Sequence, residues 1–274
     1  MSERAGAERV ALCLEYEGLR FSGWQSQRDP ARSTVQETLE SALSKVADAP
    51  VQTVCAGRTD AGVHASAQIV HFDTPVSRPD RAWVYGGNAL LPSGVAIQWA
   101  TVVPGDFHAR FSAEARTYRY LVQNRLQRSA LTAGHSCHER HPLDALAMDR
   151  AAQALLGEHD FSAFRGAGCQ SKTPMRRVER IAVRRVGEFV LIDITANAFL
   201  LHMVRNIVGS LLRVGRGEAG EDWLGLLLSM RDRRHAGMTA PPGGLYLAGV
   251  RYAARWKLPP LPPAPCASIL PLPE

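Results

Sequence analysis

The chain has almost no lysine: 3 residues, against 29 arginines in a length of 274. It also lacks any long apolar run. The most apolar window, Ala198 to Val214, contains His202, Arg205 and Arg213, and is too short and too charged to cross a bilayer. The five cysteines (Cys13, Cys55, Cys137, Cys169 and Cys266) are odd in number and scattered, with no Cys-x-x-Cys pair. That argues against a disulfide scaffold and for a reducing compartment, the cytoplasm. The N-terminal MSERAGAERV is polar and carries acidic as well as basic side chains, so it does not read as a signal peptide.

What is present fits a soluble globular protein. A hydrophobic content of 46% with 21% charged residues supports one large domain or two medium ones with a substantial core. The net charge of +6 is unevenly spread. Residues 1–104 carry 9 basic and 11 acidic side chains, residues 105–185 carry 14 and 8, and residues 186–274 carry 9 and 7. The basic excess therefore lies in the middle third, interleaved with Phe107, Phe111, Tyr118, Tyr120, Phe161 and Phe164. Basic residues among aromatics suit phosphate contacts beside base-stacking surfaces; a solvated charged face is the plainer alternative. Arginine suits bidentate phosphate recognition, although codon bias would produce the same excess.

Periodicity predicts strand 9–17, helix 34–47, strands 51–57 and 66–73, helix 79–90 and strand 95–103. On the first helix Val35, Leu39, Leu43 and Val46 share one face, and Thr34 with Glu37 forms a capping box. After residue 104 a second set begins: strand 112–124, helix 144–156 stopped by Gly157, strands 178–186 and 189–196, helices 199–214 and 221–230, and strand 246–253. Both sets spell β-α-β-β-α-β, the split βαβ pattern. The expected fold is α+β: two ferredoxin-like halves, 1–104 and 105–257, forming a central, mostly antiparallel sheet with a catalytic cleft between them. Residues 258–274 are proline-dense and read as an unstructured tail.

The most informative stretch is Ala56-Gly57-Arg58-Thr59-Asp60-Ala61-Gly62-Val63-His64. It follows the apolar run 51–55, and a loop at a strand end is where α/β enzymes place reacting side chains. Gly57 and Gly62 bracket the single carboxylate and permit a sharp turn. A turn whose Thr and Asp merely bond local amides is equally open on the residues alone.

The loop resembles the signature of the tRNA pseudouridine synthase A family, in which the aspartate attacks the target uridine. Further segments agree in order: Tyr16-Glu17-Gly18 with Phe21-Ser22-Gly23-Trp24-Gln25, Asp106 to Ser112, Ala115 to Tyr120, Phe161-Ser162-Ala163-Phe164, Met203 to Gly209, and Gly244-Leu245-Tyr246-Leu247. The resemblance runs from about residue 9 to 255. It implies isomerisation of uridine to pseudouridine at positions 38, 39 and 40 of the tRNA anticodon stem-loop, after base flipping, by a homodimer without cofactor or metal.

The same resemblance assigns roles. Asp60 is the nucleophile, a carboxylate able to bond covalently and then leave; the sequence leaves open whether it attacks ribose or the pyrimidine ring. Keeping it ionised calls for a fixed cation, and Arg205, on an apolar helix, fits that need. A buried guanidinium without a partner costs on the order of several kcal/mol, so Arg205 must pair; Asp193 or Glu188 are the structural alternatives. Arg58 shares a face with Asp60 in an extended segment and would contact the flipped nucleotide's phosphates, or else orient the loop by a salt bridge. Tyr118 would stack on the target base, while Tyr120, on the same face, suits a core position. Leu245 would form an apolar wall. RNA contacts are expected at Arg78, Phe107, His108, Ala109, Arg110, Phe111, Arg125, Arg128 and Gly168-Cys169-Gln170-Ser171-Lys172. A non-catalytic RNA-binding or chaperone protein on the same fold, and a synthase with another RNA target, are the rival functions.

Three motifs are set aside. Gly215 to Gly220 has dinucleotide-loop spacing but follows a helix. Gly166 to Thr173 lacks the glycine a phosphate loop needs. His135 to His141 is rich in ligand-type residues at no standard zinc spacing.

Overall fold

Residues 8–27 and 33–261 are described by the computed structural model; the proline-dense tail expected over 258–274 lies mostly outside them. The described residues up to Glu114, together with those from Leu247 on, form one unit, and Ala115–Tyr246 form the other.

In the first unit, β1 (Glu8–Tyr16) is buried through Val10–Leu14, side chains of both faces alike, as befits an interior strand. Helix α1 (Val35–Ala47) starts at Thr34, whose hydroxyl oxygen accepts the Glu37 N–H at 3.3 Å and donates to the Glu37 carboxylate at 2.7 Å. The capping box is thus closed side chain to side chain. There follow β2 (Val54–Cys55), β3 (His64–Thr74), α2 (Asp80–Leu90) and β4 (Val95–Val103). The strand order is β4-β1-β3 with β2 on β3, all antiparallel, the arrangement a split βαβ unit requires. Trp83 of α2 is fully buried edge-on against Phe72 of β3, ring centres 5.0 Å apart. The last strand, β10 (Leu245–Tyr252), lies beside β3.

Residues 105–112 are stitched into this unit. Arg9 pairs with Asp73 at 2.7 Å and also donates to the carbonyls of Gly105 and Phe107 at 2.7 and 2.8 Å. The fully buried Phe107 ring sits 5.3 Å from both Tyr252 and Trp256. The division expected after residue 104 falls just ahead of this anchored segment.

The second unit contains β5 (Ala113–Asn124), β6 (Cys137–Glu139), α3 (Ala145–Ala152), β7 (Gly157–Asp160), β8 (Met175–Val186), β9 (Phe189–Ala196), α4 (Met203–Gly215) and α5 (Trp223–Met230). Its strands run β5-β9-β8-β7, antiparallel throughout, with the short β6 parallel to β5. Arg119 of β5 and its register partner Asp193 of β9 form a buried ion pair at 2.7 Å. Several elements depart from expectation: β6 and β7 have no expected counterpart, and the helix expected over 144–156 ends at Ala152. The helix expected over 199–214 begins only at Met203, because His202 adopts a left-handed conformation (φ 59°). The strand expected over 51–57 is reduced to two residues, since only Val54 and Cys55 meet register partners, His71 and Val70.

Candidate active site

The Ala56–His64 loop leaves β2 and returns into β3. Its last ladder bond runs from Ala56 N–H to the Ile69 carbonyl at 2.7 Å. Beyond that point side chains take over. Gln68, fully buried on β3, accepts the Gly57 N–H at 3.3 Å and donates to the Gly57 carbonyl at 2.5 Å. Thr59 turns inward, buried, with its hydroxyl 2.8 Å from that of Tyr16, and its carbonyl accepts the Trp24 N–H at 3.0 Å. Arg58 is exposed and Asp60 half-buried, so the alternation of an extended segment holds across these three residues. The Val63 N–H to Asp60 carbonyl bond, 3.1 Å, closes the turn, and Gly62 takes φ +78°. Among the described residues Arg58 forms no ion pair, which disfavours the salt-bridge alternative for it. The Thr59 side chain bonds across 43 residues of sequence, not to a local amide. Two glycines outside the loop permit its course: a Cβ on Gly18 would overlap the Val63 carbonyl, and one on Gly23 (φ +96°) would press the Thr59 carbonyl and Ala61 nitrogen.

In the 107–111 segment, Phe107 and Ala109 are fully buried while Arg110 and Phe111 are exposed. Two histidines hold its backbone. His71, on β3, accepts the Ala109 N–H at Nδ1, 3.1 Å, and His108 Nδ1 accepts the N–H groups of Arg110 and Phe111, each at 3.2 Å. A ring nitrogen that accepts carries no proton. Burial, then Arg9 and His108, bring the His71 pKa down to about 4; burial and Arg9 also lower that of His108. The Tyr252 hydroxyl adds a bond to the Ala109 carbonyl at 2.6 Å. Arg110 lies over the Phe111 ring, 5.5 Å from its centre. Arg78 is exposed just ahead of α2.

On β5 in the second unit, Tyr120 is fully buried with its hydroxyl donating to the Pro241 carbonyl at 2.8 Å, and burial raises its pKa. It has the core role expected. Tyr118, also buried, stands edge-on to Phe199 at 4.9 Å. Arg205 is the third residue of α4 and half-buried. A cation in a helix's first turn opposes the macrodipole, so helix stability does not account for it. Its Nε donates to the Ala240 carbonyl at 2.8 Å, and its own carbonyl accepts the Ala240 N–H at 3.1 Å. The alternative acids are engaged elsewhere: Asp193 with Arg119 and Arg184, Glu188 with Gln123 and Arg125. Leu245 is buried at the start of β10. Arg125 is half-buried, its guanidinium spent on Glu188 and on the Gln127 and Arg128 carbonyls; Arg128 is exposed.

Residues 166–173 form a loop braced from beneath. Arg165 donates to the carbonyls of Cys169 and Ser171 at 2.7 and 2.9 Å, and buried Arg176 donates to the Thr173 carbonyl at 3.0 Å. Gly168 takes φ +77°, while Gly168, Gln170 and Lys172 are exposed. Burial pushes the Cys169 thiol up, but N–H groups of Leu201 and Ser171 and the Arg165 guanidinium outweigh it and hold it below its ordinary value. Burial drives Cys13 the other way, to about 12. This loop precedes a strand, β8, and not a helix. The Gly215 to Gly220 run begins at the last residue of α4, so neither sits in a strand-loop-helix setting. In the 135–141 stretch, Cys137 lies buried in β6 and His141 Nδ1 pairs with Glu139 at 2.9 Å.

Sequence reasoning missed Gln68, Tyr16 and His71. For Gln68 and His71 the available signal was polar side chains inside an otherwise apolar strand, Ala65 to Phe72, opposite the loops they hold.

Comparison with known proteins identifies the family. A family model described as tRNA pseudouridine synthase matches residues 12–112 and 151–253. The tRNA pseudouridine synthase A of Idiomarina loihiensis is 54% identical over 257 residues, 94% of this chain and 98% of the relative. The protein of that name from Coxiella burnetii is 52% identical with the same coverage. That from Xanthomonas euvesicatoria pv. vesicatoria is 55% identical over 251 residues, 92% of this chain and 98% of its own length. A chain of a solved Cbf5-Nop10-Gar1 complex aligns at 10% identity and a TM-score of 0.30, covering 86% of this chain and 57% of that one, a likeness that carries no argument.

Proposed function

The chain belongs to the tRNA pseudouridine synthase family, and from that premise we propose that it acts on the anticodon stem-loop, at positions 38, 39 and 40, with Asp60 as nucleophile. It is an isomerase of tRNA, converting uridine to pseudouridine. In that reaction the ribose C1′–N1 bond breaks, the freed base turns, and a C1′–C5 bond forms. The C5 proton leaves and N1 gains one, so the product is an isomer.

The observation that supports Asp60 most directly is its presentation: the residue is half-buried on a loop whose preceding residues Gly57 and Thr59 are bonded to buried Gln68 and Tyr16. A fixed carboxylate that need not reorganise suits nucleophilic attack on a positioned nucleotide. Exposed Arg58, on the same side, would meet the phosphates beside the everted nucleoside and offset an unstacking cost of about a few kcal/mol. Arg205, placed against its helix dipole, is the cation we assign to keeping the carboxylate ionised. Tyr118 would stack on the base and Leu245 wall it in. Docking of the RNA would use exposed Arg78, Arg110, Phe111, Arg128, Gly168, Gln170 and Lys172, with His108, Cys169 and Ser171 shaping those segments and Phe107 and Ala109 anchoring theirs from below. Arg125, already paired, would act by holding the 125–128 turn. No helix among the described residues is long and apolar enough to cross a membrane. We assign the enzyme to the cytoplasm and to a homodimer sharing the bound tRNA.

The test uses tRNA tritiated at uridine C5 and follows tritium release. Wild type should release it; Asp60→Ala and Asp60→Asn should bind the tRNA and release none. Turnover by either variant would mean a different nucleophile; no release by wild type would leave a binding protein as the explanation. Mapping which pseudouridines vanish from the tRNA of a deletion strain tests the positions.

A further inference from the structure

We infer that Gln68 and Tyr16 are positioning residues for the isomerisation, presenting Arg58 and Asp60 through hydrogen bonds to Gly57 and Thr59. The inference rests on the reading of Asp60 as nucleophile.

Gln68 is a fully buried carboxamide on β3. Its group straddles one residue of the loop, accepting from Gly57 N–H (3.3 Å) and donating to Gly57 carbonyl (2.5 Å), and its nitrogen also reaches the Tyr16 hydroxyl at 3.4 Å. A side chain bonded to both the N–H and the C=O of one residue does what a neighbouring strand's backbone does. It extends the β2–β3 pairing one step past the Ala56–Ile69 bond, where the strand itself has ended. The network fixes the amide's orientation, because the reverse would set nitrogen against N–H and oxygen against carbonyl. Tyr16, buried on β1, then passes the constraint to Thr59, the residue immediately before the acid. Residues 57 and 59 are therefore both held, with Arg58 between them and Asp60 next.

Burying a carboxamide is costly unless its bonds are made, and here they are made only when the loop occupies this one conformation. An apolar side chain of the same length would pack as well and discriminate nothing. Displacement of a reacting group by about 1 Å can cost on the order of 100-fold in rate, so the network belongs to the chemistry as well as to the fold.

The experiment compares Gln68→Met, which keeps length and burial without the hydrogen bonds, Tyr16→Phe, which removes one hydroxyl, and Asp60→Asn, all by tritium release at saturating and limiting tRNA. Expected are a kcat lowered about 10- to 100-fold in Gln68→Met and about 3- to 10-fold in Tyr16→Phe, with KM and tRNA Kd within about twofold of wild type. The double variant should lose less than the product of the two, since one chain of bonds serves both. Thermal midpoints check folding only. Wild-type kcat in folded Gln68→Met and Tyr16→Phe, or a loss confined to KM, overturns the inference. Should Gln68→Met fail to fold, Tyr16→Phe decides alone, and wild-type kcat there is sufficient to overturn it. Turnover by Asp60→Asn is the distinct signature that the nucleophile reading itself has failed.

Discussion

Two loops hang from the same strand and are held by different chemistry. Gln68 and, three residues on, His71 both project from β3 to bind loop backbone. The acid-bearing loop is secured by a carboxamide and hydroxyls, which do not change charge near neutrality. The 107–111 segment is secured by two imidazoles that must stay neutral to accept. The first device holds the Asp60 loop without a group that changes charge near neutrality. The second surrenders in acid. Geometry at the chemical centre and geometry at the proposed RNA-contact surface are thus separable, and perturbing one should spare the other.

The largest effect should come from Gly18→Ala. The added Cβ overlaps the Val63 carbonyl, backbone against backbone, and neither can yield as a side-chain end would. A loss of about 3 kcal/mol in urea unfolding is expected from such overpacking, with kcat down on the order of 100-fold as the acid loop shifts. tRNA affinity of the folded fraction should stay within about twofold. If affinity fell in step with kcat, the two loops would share one support and the comparison would break.

The second prediction turns on sign. The His71 pKa lies at about 4 in the folded protein, below the free imidazole value of 6.5, so the fold favours its neutral form. The stability this contributes is present above pH about 6.5 and is lost as pH falls toward about 4, a ceiling of roughly 3 kcal/mol before solvent screening. The groups facing His71 are Arg9 and His108, which lower its pKa, and Asp73, which opposes them weakly. Gln at position 71 can accept the Ala109 N–H without titrating. His71→Gln should therefore flatten the acid limb of unfolding between pH 7 and 5 and that of tRNA binding below about pH 5, while kcat at saturating tRNA follows wild type. Identical acid limbs in the two proteins would remove His71 as the sensitive group.

Much of this was legible from sequence because both halves carry strong periodicity. β4 and β9 fall where alternation and apolar runs place them, and the Thr34–Glu37 cap marks the start of α1. β6 and β7 were not, since three or four residues such as Cys137-His138-Glu139 cannot establish a period. The late start of α4 was invisible because nothing in the composition of Phe199 to His202 signals a left-handed histidine. The acid loop was found from its motif, but its supports were not. A Gln or His at a strand position reads as a pattern defect until the loop it binds is known, and that contact spans 11 residues for Gln68 and 38 for His71.

The smallest effects belong to the exposed surface, where the comparison can be sharpened. Phe111 is 76% exposed, its ring 4.3 Å from that of His108 and beneath Arg110, an aromatic platform already backed by a cation. Phe111→Ala should weaken tRNA binding by about 1–3 kcal/mol with little change in its salt dependence, because stacking releases no counterions. Arg110→Ala should instead shallow the slope of log K against log salt by about one ion or less, and Lys172→Ala, in the braced 166–173 loop, should do the same. Acid distinguishes the two cations. If the imidazoles alone hold 107–111, the Arg110 contribution fades as pH falls toward about 4 and His71 and His108 take up protons. The Lys172 contribution persists, its loop being braced by the guanidinium groups of Arg165 and Arg176 rather than by imidazoles. Equal fading of both contributions would mean that acid acts on the RNA or on the whole protein, not on one loop.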